Sequence, residues 1–203
     1  MLLTLVVPCY NEEAVLAETA QRLVALITDL RERKYIDPSS HVIFVDDGST
    51  DDTWSVVQRM CRQHDEIRGM KLSRNRGHQW ALFAGLHQSP GDATISVDAD
   101  LQDDLMAIEK MLEAYVEGAE IVYGVRKCRD TDTWFKRWSA EVYYKLLARM
   151  GVEIIFNHAD YRLMSRRAIE ALRSYPEVNL FLRGIIPQMG YPSTSVYYDR
   201  AER

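Results

Sequence analysis

Three short polar clusters follow apolar runs of the sequence, and their side chains are of types that bind nucleotides and metal ions. They are the segments 8–12 (Pro-Cys-Tyr-Asn-Glu), 46–51 (Asp-Asp-Gly-Ser-Thr-Asp) and 98–102 (Asp-Ala-Asp-Leu-Gln). In open α/β sheets, ligands bind outside the carboxyl ends of the strands. Each cluster taken alone is also ordinary turn and helix-cap chemistry. Three such clusters, each after an apolar run, predict a single polar rim that binds a ligand.

The third cluster has the chemistry of a divalent metal site. Asp98 and Asp100 are two residues apart after the apolar run 93–97, so in an extended segment both carboxylates face the same way. Close carboxylates repel each other unless a cation lies between them. Carboxylate oxygens and the amide of Gln102 are hard ligands that suit Mg²⁺ or Mn²⁺. An Asp-x-Asp pair arises often by chance, and its weight here comes from its place after a strand.

Short apolar runs alternate with longer amphipathic stretches, which predicts an α/β fold with a mostly parallel sheet flanked by helices. The predicted strands are 2–7, 41–45, 69–72, 93–97, 119–123 and 161–164. The predicted helices are 12–34, 52–64, 77–89, 104–117 and 133–150, then a helix from Ser165 and a final helix and strand that end at Tyr198. The segment 49–52 offers N-cap oxygens to the second helix. We interpret 1–124 as a nucleotide-binding half and 125–203 as an acceptor-side half of one domain.

Composition excludes several classes of protein. The chain has 203 residues, 47% of them apolar and 27% charged, which indicates one globular domain. Its three cysteines are widely spaced and form no CxxC, which disfavours a disulfide framework and fits a cytoplasmic location. The formal net charge of −5 disfavours a nucleic-acid partner. The phosphate-binding patterns GxGxxG and GxxxxGK[ST] are absent from the sequence. Their absence disfavours a dinucleotide-binding protein and a P-loop protein.

One basic segment departs from the acidic remainder. Between Arg126 and Arg149 there are seven basic and three acidic residues, a local net charge of +4. Trp134, Phe135 and Trp138 lie in the same segment at helical spacing. Core packing is the default interpretation of such a stripe, but aromatic residues among cations are also typical of a helix at a lipid headgroup layer. We therefore predict contact with an anionic membrane surface, with the protein peripheral at the inner face of the membrane.

In combination, these motifs resemble the signatures of the GT-A glycosyltransferases of family 2. The matching runs are 7–13 (Val-Pro-Cys-Tyr-Asn-Glu-Glu), 44–51 (Phe-Val-Asp-Asp-Gly-Ser-Thr-Asp) and 97–103 (Val-Asp-Ala-Asp-Leu-Gln-Asp). The runs 72–79, 123–126 and 134–137 narrow the resemblance to polyprenyl-phosphate glycosyltransferases, such as dolichyl-phosphate mannose synthases and bactoprenol glucosyltransferases. The resemblance covers essentially the whole chain. It implies a single Rossmann-like GT-A domain, a nucleotide-sugar donor, Mg²⁺ or Mn²⁺, and a polyprenyl phosphate acceptor.

The resemblance also implies roles for individual residues. Those that would hold the nucleotide-sugar are Pro8, Tyr10, Glu12, Asp46, Asp47, Arg74 and Asp98. Those that would bind the divalent ion at the diphosphate are Asp98, Asp100 and Gln102. Those that would take the acceptor phosphate are Arg126 and Arg137, with Arg183 as a further candidate.

Asp160 matches the aspartate of a Gly-Asp-Phe-Arg-Leu-like stretch, although Ala159 and Tyr161 replace the glycine and the phenylalanine. The resemblance makes Asp160 a catalytic carboxylate, with Asp100. Because an acceptor phosphate is mostly ionised at neutral pH, it hardly needs a general base. Orienting the acceptor, or an arginine such as Arg162, is an equally suitable role for Asp160.

The sequence therefore predicts an inverting, metal-dependent transfer of a hexose, with UDP-glucose or another UDP-hexose as donor, to undecaprenyl or dolichyl phosphate. Alternatives are a polysaccharide or protein acceptor and a non-catalytic sugar-nucleotide-binding protein. A haloacid-dehalogenase-like phosphatase also places Asp-x-Asp after a strand, but it usually has Thr or Val where this chain has Gln102. The family usually continues past Arg203 into membrane helices, so we expect an isolated catalytic domain or a protein that docks peripherally. The sequence does not decide whether the protein forms a homo-oligomer.

Overall fold

The structure, a computed structural model, describes residues 1–126, 158–175 and 181–199. The strands are β1 (Leu3–Cys9), β2 (His41–Asp46), β3 (Ile67–Lys71), β4 (Ala93–Ser96), β5 (Ile121–Arg126), β6 (His158–Ser165) and β7 (Ser193–Tyr198). The helices are α1 (Leu16–Glu32), α2 (Thr53–Gln63), α3 (His78–Gln88), α4 (Ala107–Val116), α5 (Arg166–Arg173) and α6 (Leu182–Gln188). The predicted mostly parallel α/β fold is confirmed. Within the described ranges each predicted element is present, with ends displaced by a few residues.

The sheet brings the ends of β1, β2 and β4 to one edge and adds the start of β6 to it. Its strand order is β3-β2-β1-β4-β6-β5-β7. The pairs of neighbours are parallel except those of β6, which runs antiparallel to both β4 and β5. An antiparallel strand begins where its parallel neighbours end. Since Ser96 pairs with Arg162, the register sets Asp160 beside the segment that follows β4.

Alternate side chains of β1 enter two cores on opposite faces of the sheet. Leu3, Leu5 and Val7 belong to the core that α1, α2 and α4 cover. Val6 belongs to the core under α3, α5 and α6. A Cβ on Gly85 would lie 2.3 Å from Cγ1 of Val6, so a glycine at this position lets α3 pack close to β1. This packing fixes the first residue of α3 at the edge where the strands end.

Two sequence predictions are refined by the structure and others fall outside it. The first helix begins at Leu16 rather than at residue 12, because residues 11–13 bond across to residues 49–53 instead. At the start of α2 the N-cap residue Asp52 makes no capping bond, and Asp51 accepts the N–H of Thr53 at 3.0 Å. The predicted helix 133–150 lies outside the described residues. None of the described helices is long and apolar enough to cross a membrane. The division into two halves at residue 124 stays a prediction.

Candidate active site

A cleft of about 460 Å³ opens at the edge of the sheet where β1, β2 and β4 end. Its lining joins the three polar clusters of the sequence to residues of α3, β6 and α6. The predicted site residues that line it are Pro8, Tyr10, Glu12, Asp47, Asp98, Asp100, Asp160 and Arg183. Cys9, Asn75, Gly77, His78, Ala81 and Ala99 complete the lining. The predicted polar rim is therefore a single continuous cleft.

Backbone-to-side-chain hydrogen bonds connect the loops after β1 and β2. Asn11 has a left-handed backbone with φ of 55°; its N–H donates to Oγ of Ser49 at 3.0 Å, and its Oδ1 accepts the N–H of Thr50 at 2.9 Å. The N–H of Glu12 donates to Oγ1 of Thr53 at 2.8 Å. These bonds hold the two loops as a unit, which fixes the side of the cleft that carries Pro8, Tyr10 and Asp47.

The adjacent carboxylates Asp46 and Asp47 have different positions. Asp46 is fully buried beneath the cleft, where Oδ1 accepts the N–H of Ser49 at 3.0 Å and Oδ2 lies 3.7 Å from Nζ of Lys71. Asp47 lines the cleft, and its two oxygens accept the N–H groups of Arg76 and Gly77, each at 2.8 Å. Asp46 therefore shapes the loop after β2, while Asp47 fixes the loop that leads into α3.

The predicted donor ligand Arg74 lies outside the cleft. Gly48 has φ of +68°, and a Cβ there would lie 2.5 Å from the carbonyl carbon of Arg74, so only glycine lets the two loops approach. The exposed side chain of Arg74 lines a separate groove beside Arg76, Trp80 and Phe83. A donor role for Arg74 would need its side chain to turn over the loop into the cleft.

The Asp-x-Asp pair has the features of an incomplete cation site. Asp98 and Asp100 both line the cleft, and within the described residues the side chain of Asp98 has no hydrogen bond or ion pair. Burial, then the nearby carboxylates Asp103, Asp160 and Asp100, raise the pKa of Asp98, against the opposing effect of His78. In the same residues no group of three acidic, His or Cys side chains converges on one point. Two carboxylates fit a divalent ion whose shell is completed by water and phosphate oxygens.

Gln102, the third predicted metal ligand, lies next to the cleft rather than in its lining. Its N–H donates to Oδ1 of Asp100 at 3.2 Å. The residue between them, Leu101, is buried and has φ of 47°, a backbone conformation that costs about 1–3 kcal/mol for a residue with a side chain. The surrounding structure maintains this turn, and it is the turn that holds the Asp98–Gln102 segment in place.

Arg126, predicted to take the acceptor phosphate, is bonded to a carboxylate that the sequence analysis did not single out. Its Nε and Nη2 lie 3.0 and 2.9 Å from Oδ1 of Asp103, and Tyr198 donates its hydroxyl to the same oxygen at 2.5 Å. Asp103 is only 1% exposed, whereas the Arg126 side chain is 31% exposed. Asp103 therefore ties the ends of β5 and β7 to the loop that carries Asp98 and Asp100. Arg137, the other predicted phosphate ligand, lies outside the described residues.

Asp160 is the centre of a hydrogen-bonded cluster of cations. Its carboxylate accepts from Nη2 of Arg162, from Nε and Nη2 of Arg183 at 3.2 and 3.1 Å, and from Nε2 of Gln79 at 3.1 Å. Nε2 of His78 lies 3.3 Å from Oδ2. Burial alone would raise the pKa of Asp160, but His78, Arg162 and Arg183 together hold it well below its usual range. Asp160 is therefore ionised and fully engaged with partners at neutral pH.

The sequence analysis missed the contributions of His78 and Gln79 to this cluster. His78 is the first residue of α3, one residue after the predicted start of this helix, and it also lines the cleft and reaches Asp160. Gln79 bridges Asp160 to α6, since its Oε1 accepts the N–H of Leu182 at 3.2 Å. The available signal was their position directly after Gly77, at the start of a predicted helix.

The sequence of this chain was compared with models of known protein families. Residues 4–173 match the family model described as Glycosyl transferase family 2. The chain belongs to glycosyltransferase family 2. The predicted family, and the prediction of a transferase, are confirmed at this level.

Two similar proteins are longer than this chain. An uncharacterized glycosyltransferase YkoT of Bacillus subtilis (strain 168) is 51% identical over 203 residues, which cover 99% of this chain and 60% of that protein. The bactoprenol glucosyl transferase of Shigella phage SfV is 37% identical over 205 residues, with coverage of 100% and 64%. The chain therefore spans less than two thirds of the length of these relatives.

Two solved glycosyltransferases of the GT-A fold have the same architecture. The mannosyltransferase PcManGT of Pyrobaculum calidifontis, solved with GDP-Man and Mn²⁺, superposes with a TM-score of 0.66 at 22% identity, covering 99% of this chain and 57% of that one. Glucosyl-3-phosphoglycerate synthase of Mycobacterium tuberculosis, solved with Mn²⁺, UDP and phosphoglyceric acid, gives 0.67 at 21% identity, covering 100% and 70%. At these identities the similarity establishes the fold, so this chain has the GT-A fold that the motifs predicted.

Proposed function

We propose that this chain is the catalytic domain of a metal-dependent, inverting glycosyltransferase that moves a hexose from a nucleotide-sugar, UDP-glucose or another UDP-hexose, to a polyprenyl phosphate. The observation that carries the proposal is one cleft whose lining contains the carboxylates Asp98 and Asp100 and the guanidinium of Arg183. A diphosphate donor needs a metal ion at the carboxylates, and an anionic acceptor needs cations. The relatives named bactoprenol glucosyl transferase support this sugar and this acceptor.

In the proposed reaction, an oxygen of the acceptor phosphate forms a bond to the anomeric carbon of the sugar. The bond from that carbon to the diphosphate breaks, its electron pair leaves with the nucleoside diphosphate, and the configuration inverts. A divalent ion, when bound, would neutralise charge on the departing diphosphate as a Lewis acid. Asp98 and Asp100 would hold that ion, and the loops around Tyr10 and Asp47 would bind the nucleoside. Positioning and charge stabilisation supply most of the catalysis.

Asp160 acts in this proposal as a positioning residue. A phosphate monoester has its second pKa near 6, so the acceptor is already largely ionised at neutral pH. The lowered pKa of Asp160 makes it a poor proton acceptor. Its two hydrogen bonds to Arg183 instead fix a guanidinium that is 47% exposed in the cleft. Of the two roles open from the sequence, the contacts support the orientation of an arginine.

The proposal also includes the predicted phosphate-binding arginines and the predicted membrane contact. Arg126, fixed by Asp103, and Arg137 would contribute further guanidinium groups for phosphate. The basic, aromatic segment between residues 126 and 149 would rest on the anionic inner face of the membrane, where the lipid acceptor lies.

The test is transfer of radiolabel into lipid. The 203-residue chain is incubated with Mn²⁺ or Mg²⁺, undecaprenyl phosphate and a panel of labelled nucleotide-sugars, and the products are extracted into organic solvent. We expect label in the organic phase with a UDP-hexose, and none with the Asp100→Asn variant. Label that enters only water-soluble or precipitated polymer would replace the lipid acceptor with a polysaccharide or protein. Nucleotide-sugar binding without turnover on any acceptor would leave a non-catalytic binding protein and overturn the proposal.

A further inference from the structure

We infer that His78 binds the acceptor phosphate together with Arg183, an inference that rests on the proposed function and names a residue it did not include. His78 is the first residue of α3 and lines the cleft beside Asp98 and Asp160. Its side chain is 43% exposed, so one edge of the imidazole contacts Asp160 while the rest faces the open cleft.

Asp160 does not need His78 to satisfy its hydrogen-bonding capacity. Four hydrogen bonds already reach its carboxylate, one from Arg162, two from Arg183 and one from Gln79. The His78 contact at 3.3 Å is the longest polar contact of this group. A second imidazole nitrogen, Nδ1, has no partner among the residues that the structure describes. His78 is therefore held by Asp160 and keeps a polar atom available to a ligand.

The charge of the cluster matches a phosphate monoester. Together Asp160, the buried Arg162, Arg183 and, when it is protonated, His78 carry a net charge of +2. A phosphate monoester carries a charge of about −1.5 to −2 at pH 7. The hydrogen bond to Asp160 raises the pKa of His78, burial opposes this, Asp98 adds to the rise and Arg183 counters it. The net effect is a pKa of His78 above its usual value.

The donor diphosphate is a competing source of phosphate oxygens in the same cleft. The proposed metal site at Asp98 and Asp100 already provides a cation for the diphosphate, whereas the acceptor phosphate brings no counterion of its own. Nε2 of His78 and Nη2 of Arg183 both contact Oδ2 of Asp160, so the two side chains lie next to each other in the cleft. The geometry therefore assigns this pair to the acceptor.

A metal-free binding experiment tests the inference without turnover. Imidazole resonances of the full chain are followed by NMR in EDTA while farnesyl phosphate is added, and the His78 signal is identified by its loss in His78→Gln. We expect the His78 signal to shift on addition of ligand and its pKa to rise further, with farnesol causing neither change. A matched control is His87→Gln, on the same helix but outside the cleft lining, which should bind farnesyl phosphate like the wild type.

Kinetics then separate the acceptor from the donor. His78→Gln should raise the apparent KM for polyprenyl phosphate roughly tenfold or more, the effect of losing one hydrogen bond to a charged group, with the nucleotide-sugar KM unchanged. His78→Lys, which restores a cation, should recover part of the loss. In the wild type the acceptor KM should rise as pH increases through the pKa of His78, and this rise should be absent from His78→Gln.

The outcomes distinguish this inference from the proposed function. A His78 signal that ignores farnesyl phosphate, or a His78→Gln variant with wild-type acceptor KM, overturns the inference even if transfer occurs. A raised KM for the nucleotide-sugar alone assigns His78 to the donor and overturns it as well. A shifted His78 signal in a protein that transfers no sugar keeps the phosphate site and removes the transferase.

Discussion

Asp98 and Asp160 are neighbouring carboxylates in one cleft with opposite electrostatic surroundings. Asp98 has acidic neighbours, no hydrogen bond or ion pair within the described residues, and a raised pKa. Asp160 has two arginines, a glutamine and a histidine around it, and a lowered pKa. Both are largely buried, so burial does not explain the difference. The charged neighbours do.

The contrast indicates which carboxylate awaits a cation from outside. Asp160 already has its positive partners within the chain and orders them around itself. Asp98 and Asp100 repel each other until a divalent ion binds, and that repulsion favours metal binding to the folded protein. In the proposed function, Asp160 therefore orients other side chains, and Asp98 would be a ligand of the metal ion.

The largest effect should follow removal of the carboxylate pair. Asp100→Asn should reduce transfer by roughly 10³-fold or more, because a bound metal ion supplies several kcal/mol of transition-state stabilisation. Initial rates of label transfer at saturating Mn²⁺ measure it. The thermal unfolding transition should stay close to that of the wild type. Wild-type rates in Asp100→Asn, or in EDTA, would remove the metal from the reaction.

Truncation of Asp160 should cost the most stability. Asp160→Ala leaves the buried Arg162 without its carboxylate, and breaking a buried ion pair from one side typically costs about 3–5 kcal/mol. Denaturant unfolding measures the change. Asp29→Ala, which removes an exposed i,i+4 partner of Arg33, is the matched control and should cost less than about 0.5 kcal/mol. Equal losses in the two variants would mean that Asp160 does not organise the cluster.

Removal of Asp47 should weaken donor binding by an intermediate amount. Asp47→Ala releases the N–H groups of Arg76 and Gly77 and removes a carboxylate from the cleft. Loss of one charge-assisted hydrogen bond is worth about 1.5–3 kcal/mol, or roughly 10- to 150-fold in Kd. Calorimetric titration with UDP measures it. An unchanged Kd would exclude Asp47 from the nucleotide site, directly and through the loop.

A smaller effect distinguishes the two carboxylates by pH. The raised pKa of Asp98 means that ionising it disfavours the folded state, a penalty that appears as pH rises through the range from the unfolded pKa, about 3.9, to the folded one. In EDTA, Asp98→Asn should therefore be more stable than the wild type at neutral pH and lose that advantage in acid. The lowered pKa of Asp160 has the opposite sign, so its stabilisation is present above about 3.9 and is lost as pH falls. Thermal unfolding across this range checks both directions.

The smallest expected effect concerns His78. Its raised pKa means that its pairing with Asp160 stabilises the folded state below the unfolded pKa, about 6.5, and that this contribution is lost as pH rises through the folded pKa. The stability difference between wild type and His78→Gln should therefore shrink from mildly acidic to alkaline pH. A difference that stays constant would show that His78 does not titrate against Asp160.

The sequence predicted the parts of the site that depend on local pattern. Asp98 and Asp100 follow a strand, and the rule that ligands bind at the carboxyl ends of strands placed them with Tyr10 and Asp47. Asp160 and Arg183 were predicted only from the resemblance to family 2, because no local sequence pattern connects them to the other site residues. The pattern therefore predicted the carboxylate side of the cleft better than its cationic side.

The remainder depends on contacts between distant segments. Gln79 and Arg183 reach Asp160 from α3 and α6, across 81 and 23 residues of sequence. The pairing of Arg126 with Asp103 and the outward side chain of Arg74 likewise follow from how loops pack after the sheet has formed. Periodicity and motif spacing carry no information about such packing.

Direct measurement of Mn²⁺ binding tests most directly whether Asp98 and Asp160 differ as the structure indicates. Calorimetric titration with Mn²⁺ in the presence of UDP compares the wild type, Asp98→Asn and Asp160→Asn at neutral pH, with folding of each variant verified first. We expect Asp98→Asn to lose Mn²⁺ binding and Asp160→Asn to retain it. If Asp98→Asn retained Mn²⁺ binding and Asp160→Asn lost it, the assignment would be contradicted and the metal would belong to Asp160.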